Sequence, residues 1–397
     1  MSGPALARRH PCDDRRMDPL RRLADRFARL LSGSGPLAAG RGFASGVLAL
    51  ALAGLSLLAV LAFHFPEYLT TPELRRRYPV ELLRQLLLAT LVLAGSVSLV
   101  NAALGRTRWL NGSAFAVVLL AVALGGHRVP VGDFADGTPY LGVDWFVLDL
   151  LGSALVFVLL EKLLPLRPDQ PVFRADWQTD LGYFTVNHLA VGLLLLVTNA
   201  LVHAFFGWAS YPPLQEAVRS LPGWVELPLL MLVADLAQYW LHRAWHRVPA
   251  LWRIHAVHHS IDTLDWLAGS RMHLLDMLAT RVAVLGIVFV LGFSRWAIDL
   301  YIVVVAFHAV LNHANVRLPW GPLRHVLVTP EFHHWHHASD REALDRNFAA
   351  HFPFLDRLFG TLHRAPGELP TRYGVLGETL PRGFLRQQWH PFRRPTP

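Results

Sequence analysis

The sequence predicts an all-α, polytopic helical membrane protein that gathers its polar chemistry in a histidine-rich helical cap on one side of the bilayer. Three observations lead there. Of the 397 residues, 53% are hydrophobic and 17% charged, where a soluble domain carries about a quarter charged residues. Apolar runs of about 20 residues, the length that crosses a bilayer, recur along most of the chain. Thirteen of the 21 histidines fall between His242 and His337, beyond most of those runs.

The first element is RRLADRFARLL, residues 21–31, a basic amphipathic stretch expected to lie as a helix on the cytosolic membrane surface. It lacks the apolar core and small-residue cleavage site of a secretory signal. Apolar runs follow at 44–64, 80–103, 109–126 and 145–165, then at 180–206, 225–242, 275–293 and 296–313. The connection LPLRPDQPVFRADW, residues 164–177, separates four runs with little chemistry from a region that holds every histidine cluster. Four parts are expected: a cytosolic N-terminal region 1–43, transmembrane helices 44–165, a histidine-bearing domain 166–363, and a Pro/Arg-rich tail 364–397.

Charge gives the expected orientation. With a cytosolic N-terminus, six crossings return the chain to the cytosol at His242. The outward loop 127–144 then carries Asp133, Asp136 and Asp144 against Arg128, and the inward loop 164–177 and the C-terminal region are rich in arginine. Arg75, Arg76 and Arg77 are an exception to this pattern. The runs 275–293 and 296–313 are joined only by Ser294 and Arg295 and form a hairpin, so the ends near His273 and His313 return to the face of His242.

Composition excludes several functions. One cysteine leaves no disulfide framework and no cysteine-based zinc or iron–sulfur site. The net charge of +8 is almost wholly arginine, with Lys162 the sole lysine. No basic stripe interleaved with exposed aromatics accompanies it, so no nucleic-acid partner is expected.

Four histidine groups remain: HRAWH (His242, His246), HAVHH (His255, His258, His259), HAVLNH (His308, His313) and HHWHH (His333, His334, His336, His337). Side chains at i, i+3 and i+4 share a helix face, so His255, His258 and His259 are expected to present three nitrogens to one point. His333, His336 and His337 repeat that spacing, whereas His334 points about 100° away from His333. Asp235, Tyr239, His242 and His246 form one stripe, with Asp235 placed to accept a ring N–H from a metal-binding imidazole. His308 and His313 are about 140° apart on a helix. So many neutral imidazoles exceed the needs of one tetrahedral zinc and imply two metal ions. No HExxH with a glutamate base is present, which disfavours a zinc protease. Two irons held mostly by histidine suit O₂ activation against an unactivated C–H bond.

The chain resembles the fatty acid hydroxylase/sterol desaturase superfamily of membrane di-iron oxygenases. The resemblance rests on DLAQYWLHRAWHRVPALWRIHAVHHS (235–260), RMH (271–273), NHANVRLPWGPLRHVLVTPEFHHWHH (312–337) and DRNFAAHFPFLDRLFGT (345–361). It covers about 170 to 361. The family's eight-histidine pattern falls on His242, His246, His255, His258, His259, His333, His336 and His337, with the additional histidine of the last span on His313. His308 and His273 match less uniformly; His308 is counted among the ligands. The resemblance implies a lipid substrate (fatty acyl, sterol or related), two iron ions, O₂ as co-substrate and an external redox protein as electron donor. Zinc could take the same ligands in purified protein. Asp235 and Tyr239 are expected beside the chemistry. Hydroxylation is the expected outcome, desaturation at the same site its alternative, and a non-catalytic, metal-stabilised lipid binder the alternative of another class. The expected location is a bacterial inner membrane, with the site facing the cytosol.

Overall fold

The computed structural model describes residues 43–104, 108–134, 138–365 and 367–393. The basic stretch 21–31 and Asp136 lie outside them. Among the described residues the regular structure is helical, without β-strands. The described residues divide into two compact units, one built from 43–64 with Pro79–Val131 and Pro171–Phe173, the other from Phe65–Tyr78, Gly132–Gln170 and 174–393.

The first unit contains α1 (Phe43–His64), α2 (Val80–Leu104) and α3 (Arg108–Ala123). Their sequences are dominated by alanine, leucine and valine. Ala53, Ala94 and Ala121 are fully buried at the helix contacts, together with Leu87 and Leu91. Val92, Leu93 and Leu119 face outward and are more than half exposed. That division suits lipid: hydrocarbon solvates leucine as well as a protein core does, so helices associate where small residues allow close packing.

The second unit carries the histidines. It contains α4 (Val143–Leu163), α5 (Trp177–Leu189), α6 (Val191–Phe206), α7 (Pro212–Arg219), α8 (Gly223–Arg247), α9 (Pro249–His259), α10 (Leu274–Leu291), α11 (Arg295–His313), α12 (Pro330–His336), α13 (Phe354–Leu358) and α14 (Phe384–Trp389). Val248, extended at φ −97° and ψ 116°, precedes Pro249 and ends α8, so the two histidine motifs on either side fall on separate helices. Ser294 caps α11, and Thr329 with Pro330 starts α12. Leu230 and Ala234 of α8 pack with Val284 and Val288 of α10 and Tyr301 of α11. Phe157 of α4, Phe184 of α5, Trp266 and Leu311 of α11 form a second core. Glu161, near the end of α4, ties it to this core by accepting the backbone N–H groups of Trp266 (2.8 Å) and Asn315 (3.0 Å). The α4 helix thus belongs to the histidine-bearing unit.

Among the described residues, seven helices are long and apolar enough to cross a membrane: α1, α2, α3, α4, α6, α10 and α11. Two expected spans differ. The run 180–206 is two helices, broken at Ala190 (φ −90°, ψ 3°), and α5 turns Asp180 and Tyr183 into the protein interior. The run 225–242 lies in α8, which is not among the seven and carries Glu226, Asp235 and Gln238 among its apolar residues. Both carboxylates are buried and partnered. Glu226 accepts hydrogen bonds from the Ser294 backbone N–H (2.7 Å) and hydroxyl (2.8 Å). Arg75, the charge-pattern exception, is occupied locally: its guanidinium donates to the Thr70 hydroxyl and carbonyl (2.9 Å each) and sits over the Phe134 ring.

Candidate metal centre

Nine histidines converge into two groups. His242 and His246 of α8, His255 and His259 of α9, and His336 of α12 form the first; His258 of α9, His313 at the end of α11, and His333 and His337 at α12 form the second. Within each group the nitrogens that could bind a metal lie within 4.8 Å of one another. The α10–α11 hairpin brings His313 back beside α9, with the His258 and His313 rings 5.1 Å apart.

Each HxxHH motif is split between the groups, where the spacing alone suggested three nitrogens on one point. A residue at i+4 lies about 40° round the helix from i, and one at i+3 about 60° the other way. The i,i+4 pairs, His255/His259 and His333/His337, therefore stay together, while His258 and His336 cross to the opposite group.

Proton positions show what the groups can hold. A carbonyl or carboxylate can only accept, so a ring nitrogen bonded to one carries the proton. The Nδ1 atoms of His242, His258, His313 and His336 donate to the carbonyls of Phe348, Arg271, Ala309 and Arg346, each at 2.8 Å. His255 Nδ1 donates to Asp276 Oδ2 at 2.7 Å, and His246 Nδ1 to Asp345 Oδ1 at 3.3 Å. Six imidazoles thus turn bare Nε2 lone pairs inward. His242 and His255 bring theirs within 3.2 Å of each other, and His258 and His313 within 3.4 Å. Two lone pairs at that range repel unless a cation lies between them. Nitrogens bound at about 2.0–2.1 Å around one ion stand roughly 3.0–3.4 Å apart. The buried Nε2 atoms of His246, His259 and His336 have no hydrogen-bond partner. Residues and geometry fit two ions held by imidazole.

Burial, reinforced by the neighbouring imidazoles, holds His246, His259, His333, His336 and His337 well below the usual histidine range and lowers His258 to about 4. The rings are neutral at pH 7, the form that binds metals.

Other expected residues lie elsewhere. His308 joins neither group: its ring bonds His351 Nδ1 (2.8 Å) and the Val328 carbonyl (2.9 Å), five residues back on α11 from His313 and facing another way. His273 caps α10 and bonds the Gln388 carbonyl. His334 turns to Tyr373 and the carbonyls of His313 and Ala314. Asp235 touches no ligand ring. Its carboxylate accepts the backbone N–H groups of Ala350, His351 and Phe352 at 2.8, 3.0 and 2.7 Å. Tyr239 donates to Thr361, whose hydroxyl donates to Asp356, and Asp356 accepts the backbone N–H groups of Phe348 and Ala349. Both residues therefore hold the 348–361 segment, which supplies the Phe348 carbonyl to His242.

The carboxylates beside ligand rings are Asp276 at His255 and, at longer range, Asp345 at His246, neither of them expected from the sequence; the signal for Asp276 was an acid in the first turn of a largely apolar helix. A buried charge network fixes the partner of His258. Arg271 bonds Asp180 (2.5 Å) and Asp176 (3.1 Å), while Arg174 bonds Asp180 (2.6 Å) and Asp265 (2.7 Å). Asp265 also accepts the backbone N–H groups of Leu267 and Ala268, fixing the turn that lays Gly269 on the His313 ring. A Cβ at Gly269 would stand 2.9 Å from His313 Nδ1.

A cavity of about 120 Å³ adjoins both groups, with walls that include His255, His258, Gly269, Met272, Val305 and Ala309. Val305 and Ala309 belong to α11 and Thr280 to α10, both apolar helices of spanning length.

A model of the fatty acid hydroxylase family matches residues 227–361, the stretch that supplies all nine histidines. An ornithine lipid hydroxylase from Rhizobium tropici is 30% identical over 262 residues, covering 63% of this chain and 76% of that protein. Human alkylglycerol monooxygenase is 29% identical over 137 residues, and a methylsterol monooxygenase from Arabidopsis thaliana 29% over 170; the alignments cover 29% and 55% of those proteins. No solved structure matches. Similarity over three quarters of the rhizobial hydroxylase, joined to the family match across the histidine motifs, leads to one conclusion: the chain belongs to the fatty acid hydroxylase/sterol desaturase superfamily and is an oxidoreductase.

Proposed function

We propose that this protein is a membrane monooxygenase that hydroxylates an unactivated C–H bond of a lipid, with two iron ions, O₂ and electrons from a separate redox protein. The observation that carries the reading is the pair of histidine groups with bare, converging Nε2 atoms beside a cavity walled partly by spanning helices. His242, His246, His255, His259 and His336 would hold one iron; His258, His313, His333 and His337 would hold the other. When bound, the irons supply O₂ activation and C–H oxidation.

The chain's own part is orientation and protection. Asp276 and the carbonyls of Phe348, Arg271, Ala309 and Arg346 fix the ring orientations, and polar partners of this kind hold the basicity of ligand rings. Val305, Ala309 and Met272 give an alkyl chain an apolar wall, and burial of the rings keeps bulk water from the reacting carbon. The rhizobial ornithine lipid hydroxylase supports a bacterial membrane lipid as substrate. We place the site at the cytosolic face of the inner membrane. There, α8 serves as a sixth crossing whose acids are buried and hydrogen-bonded, Glu226 to Ser294 and Asp235 to the 350–352 backbone, and the arginine-rich C-terminal region stays inside.

Purified protein should hold two irons and, given a reductant, O₂ and bacterial lipid extract, add one oxygen to a lipid. Loss of two hydrogens instead would identify a desaturase. Product formation without O₂, or by iron-free protein, would overturn the reading.

A further inference from the structure

His308 and His351 form a buried pair outside both histidine groups, their rings nearly coplanar (17°) and joined edge to edge, with centroids 5.1 Å apart. The Val328 carbonyl can only accept, so His308 Nε2 carries a proton and His308 Nδ1 is bare. His351 Nδ1 lies 2.8 Å from that bare nitrogen and must donate to it. His351 Nε2 is consequently a bare acceptor, and it has no partner. The His351 residue is 1% exposed and lines the cavity beside the metal groups. Asn312 lines the same cavity. Its amide nitrogen donates to the Ala350 carbonyl (3.2 Å), which leaves a buried Oδ1 without a partner as well.

The loop that presents His351 is held firmly, by Asp235 through three backbone N–H groups and by the Val328 N–H on the His351 carbonyl (2.8 Å). Burial, with His308 alongside, lowers His351 to about 3, so the ring is neutral at pH 7. Two buried acceptors without donors are costly unless something in the cavity supplies hydrogens.

We propose that His351 Nε2 and Asn312 Oδ1 form a polar subsite that accepts hydrogen bonds from a donor on the lipid, an alcohol O–H or a secondary amide N–H. That contact anchors the substrate and selects which carbon of the adjoining chain faces the histidines. It rests on the reading of the cavity as the lipid site.

The test is calorimetric titration of the full-length protein in detergent with matched probes. One arm compares N-methylhexadecanamide with N,N-dimethylhexadecanamide; the other compares hexadecanol with its methyl ether. In at least one arm the donor-bearing probe should bind about three- to tenfold more tightly, and the responding arm distinguishes alcohol from amide. His351→Leu should abolish the preference, and His351→Gln, which keeps an acceptor oxygen, should retain most of it. Equal affinities within both pairs would mean that water satisfies the acceptors and would overturn the subsite, as would a preference that survives His351→Leu. If His351→Leu does not fold, Asn312→Leu takes its place with the same two outcomes. Binding is read without turnover, so a failure here is separate from a failure of iron loading or O₂-dependent oxidation, which would sink the monooxygenase reading.

Discussion

Helix α9 gives His255 and His259 to the first histidine group and His258 to the second, whereas α12 gives His336 to the first and His333 with His337 to the second. The two motifs share a spacing and divide it in opposite senses. The i,i+4 pair stays together in both, so the inversion comes from the helices approaching the centre from different sides. Neither helix serves one group alone, and each group draws on three helices. The three helices of the first unit offer a contrast. Their contacts are made largely by small and apolar residues such as Ala53, Ala94 and Ala121, with a few polar pairs between α1 and α2, Ser56 donating to Thr90 (3.1 Å) and Ser45 to Asn101 (3.0 Å).

The largest expected effect comes from breaking that division. His258→Ala with His333→Ala removes two members of the second group, so the double variant should lose one ion and keep the other. His258→Ala with His336→Ala touches both groups and should lose both. Metal analysis of purified protein separates the two cases. Equal iron contents would mean the ions do not follow the two groups.

Next in size is the carboxylate behind His255. Asp276 is almost fully buried and 2.7 Å from its ring, whereas Asp345, behind His246, is 3.3 Å away with a side chain 40% exposed. Removing such a ligand partner costs about 10–100-fold in metal affinity. Asp276→Asn should fall in that range in chelator competition, and Asp345→Asn well short of it. The reverse order would mean that burial does not govern these partners.

Much of this was legible in the chain, and the boundary has physical causes. The spans at 44–64, 80–103 and 296–313 lie within a few residues of α1, α2 and α11, because long uniform runs of apolar helix formers leave few alternatives. The break at Ala190 was not legible. Neither Leu189 nor Val191 stops a helix; the break accompanies tertiary contacts, with His188 bonded to Asp149 of α4 and Tyr140 close against Gly192. The histidines announced themselves by spacing. The groups that aim them did not, since the Phe348 carbonyl is 106 residues from His242 and Asp276 is 21 from His255. Asp235 had the right sequence offset for a ligand partner, but α8 turns it toward the 350–352 backbone.

A smaller perturbation tests the second group from outside. In Gly269→Ala the new methyl would stand 2.9 Å from Nδ1 and 3.2 Å from Cγ of His313. The ring is tied to the Ala309 carbonyl and cannot swing freely, so the overlap should cost about 1–3 kcal/mol, as overpacking does. Chelator competition should show one ion weakened and the other unchanged. Equal weakening of both would mean the groups respond as a unit.

The least effect on metal is expected at His334, and that makes it the sharpest control. It sits between ligands in HHWHH, is 1% exposed, and is lowered to about 4 mainly by burial, so by composition and environment it resembles its neighbours. Its direction differs. The Nε2 donates toward the carbonyls of Ala314 (3.2 Å) and His313 (3.3 Å), which leaves Nδ1 to accept from the Tyr373 hydroxyl (2.8 Å). His334→Ala therefore takes the acceptor from a half-buried hydroxyl and the donor from two carbonyls in the turn after α11, a loss of about 1–3 kcal/mol in stability. It removes no nitrogen from either group, so the purified variant should melt earlier yet carry as much iron as the parent. His336→Ala, two residues along the same helix, should be the mirror case, with an ion lost. If both variants lose the same iron, position around the helix does not choose the ligands, and the inverted division of the two motifs fails with it.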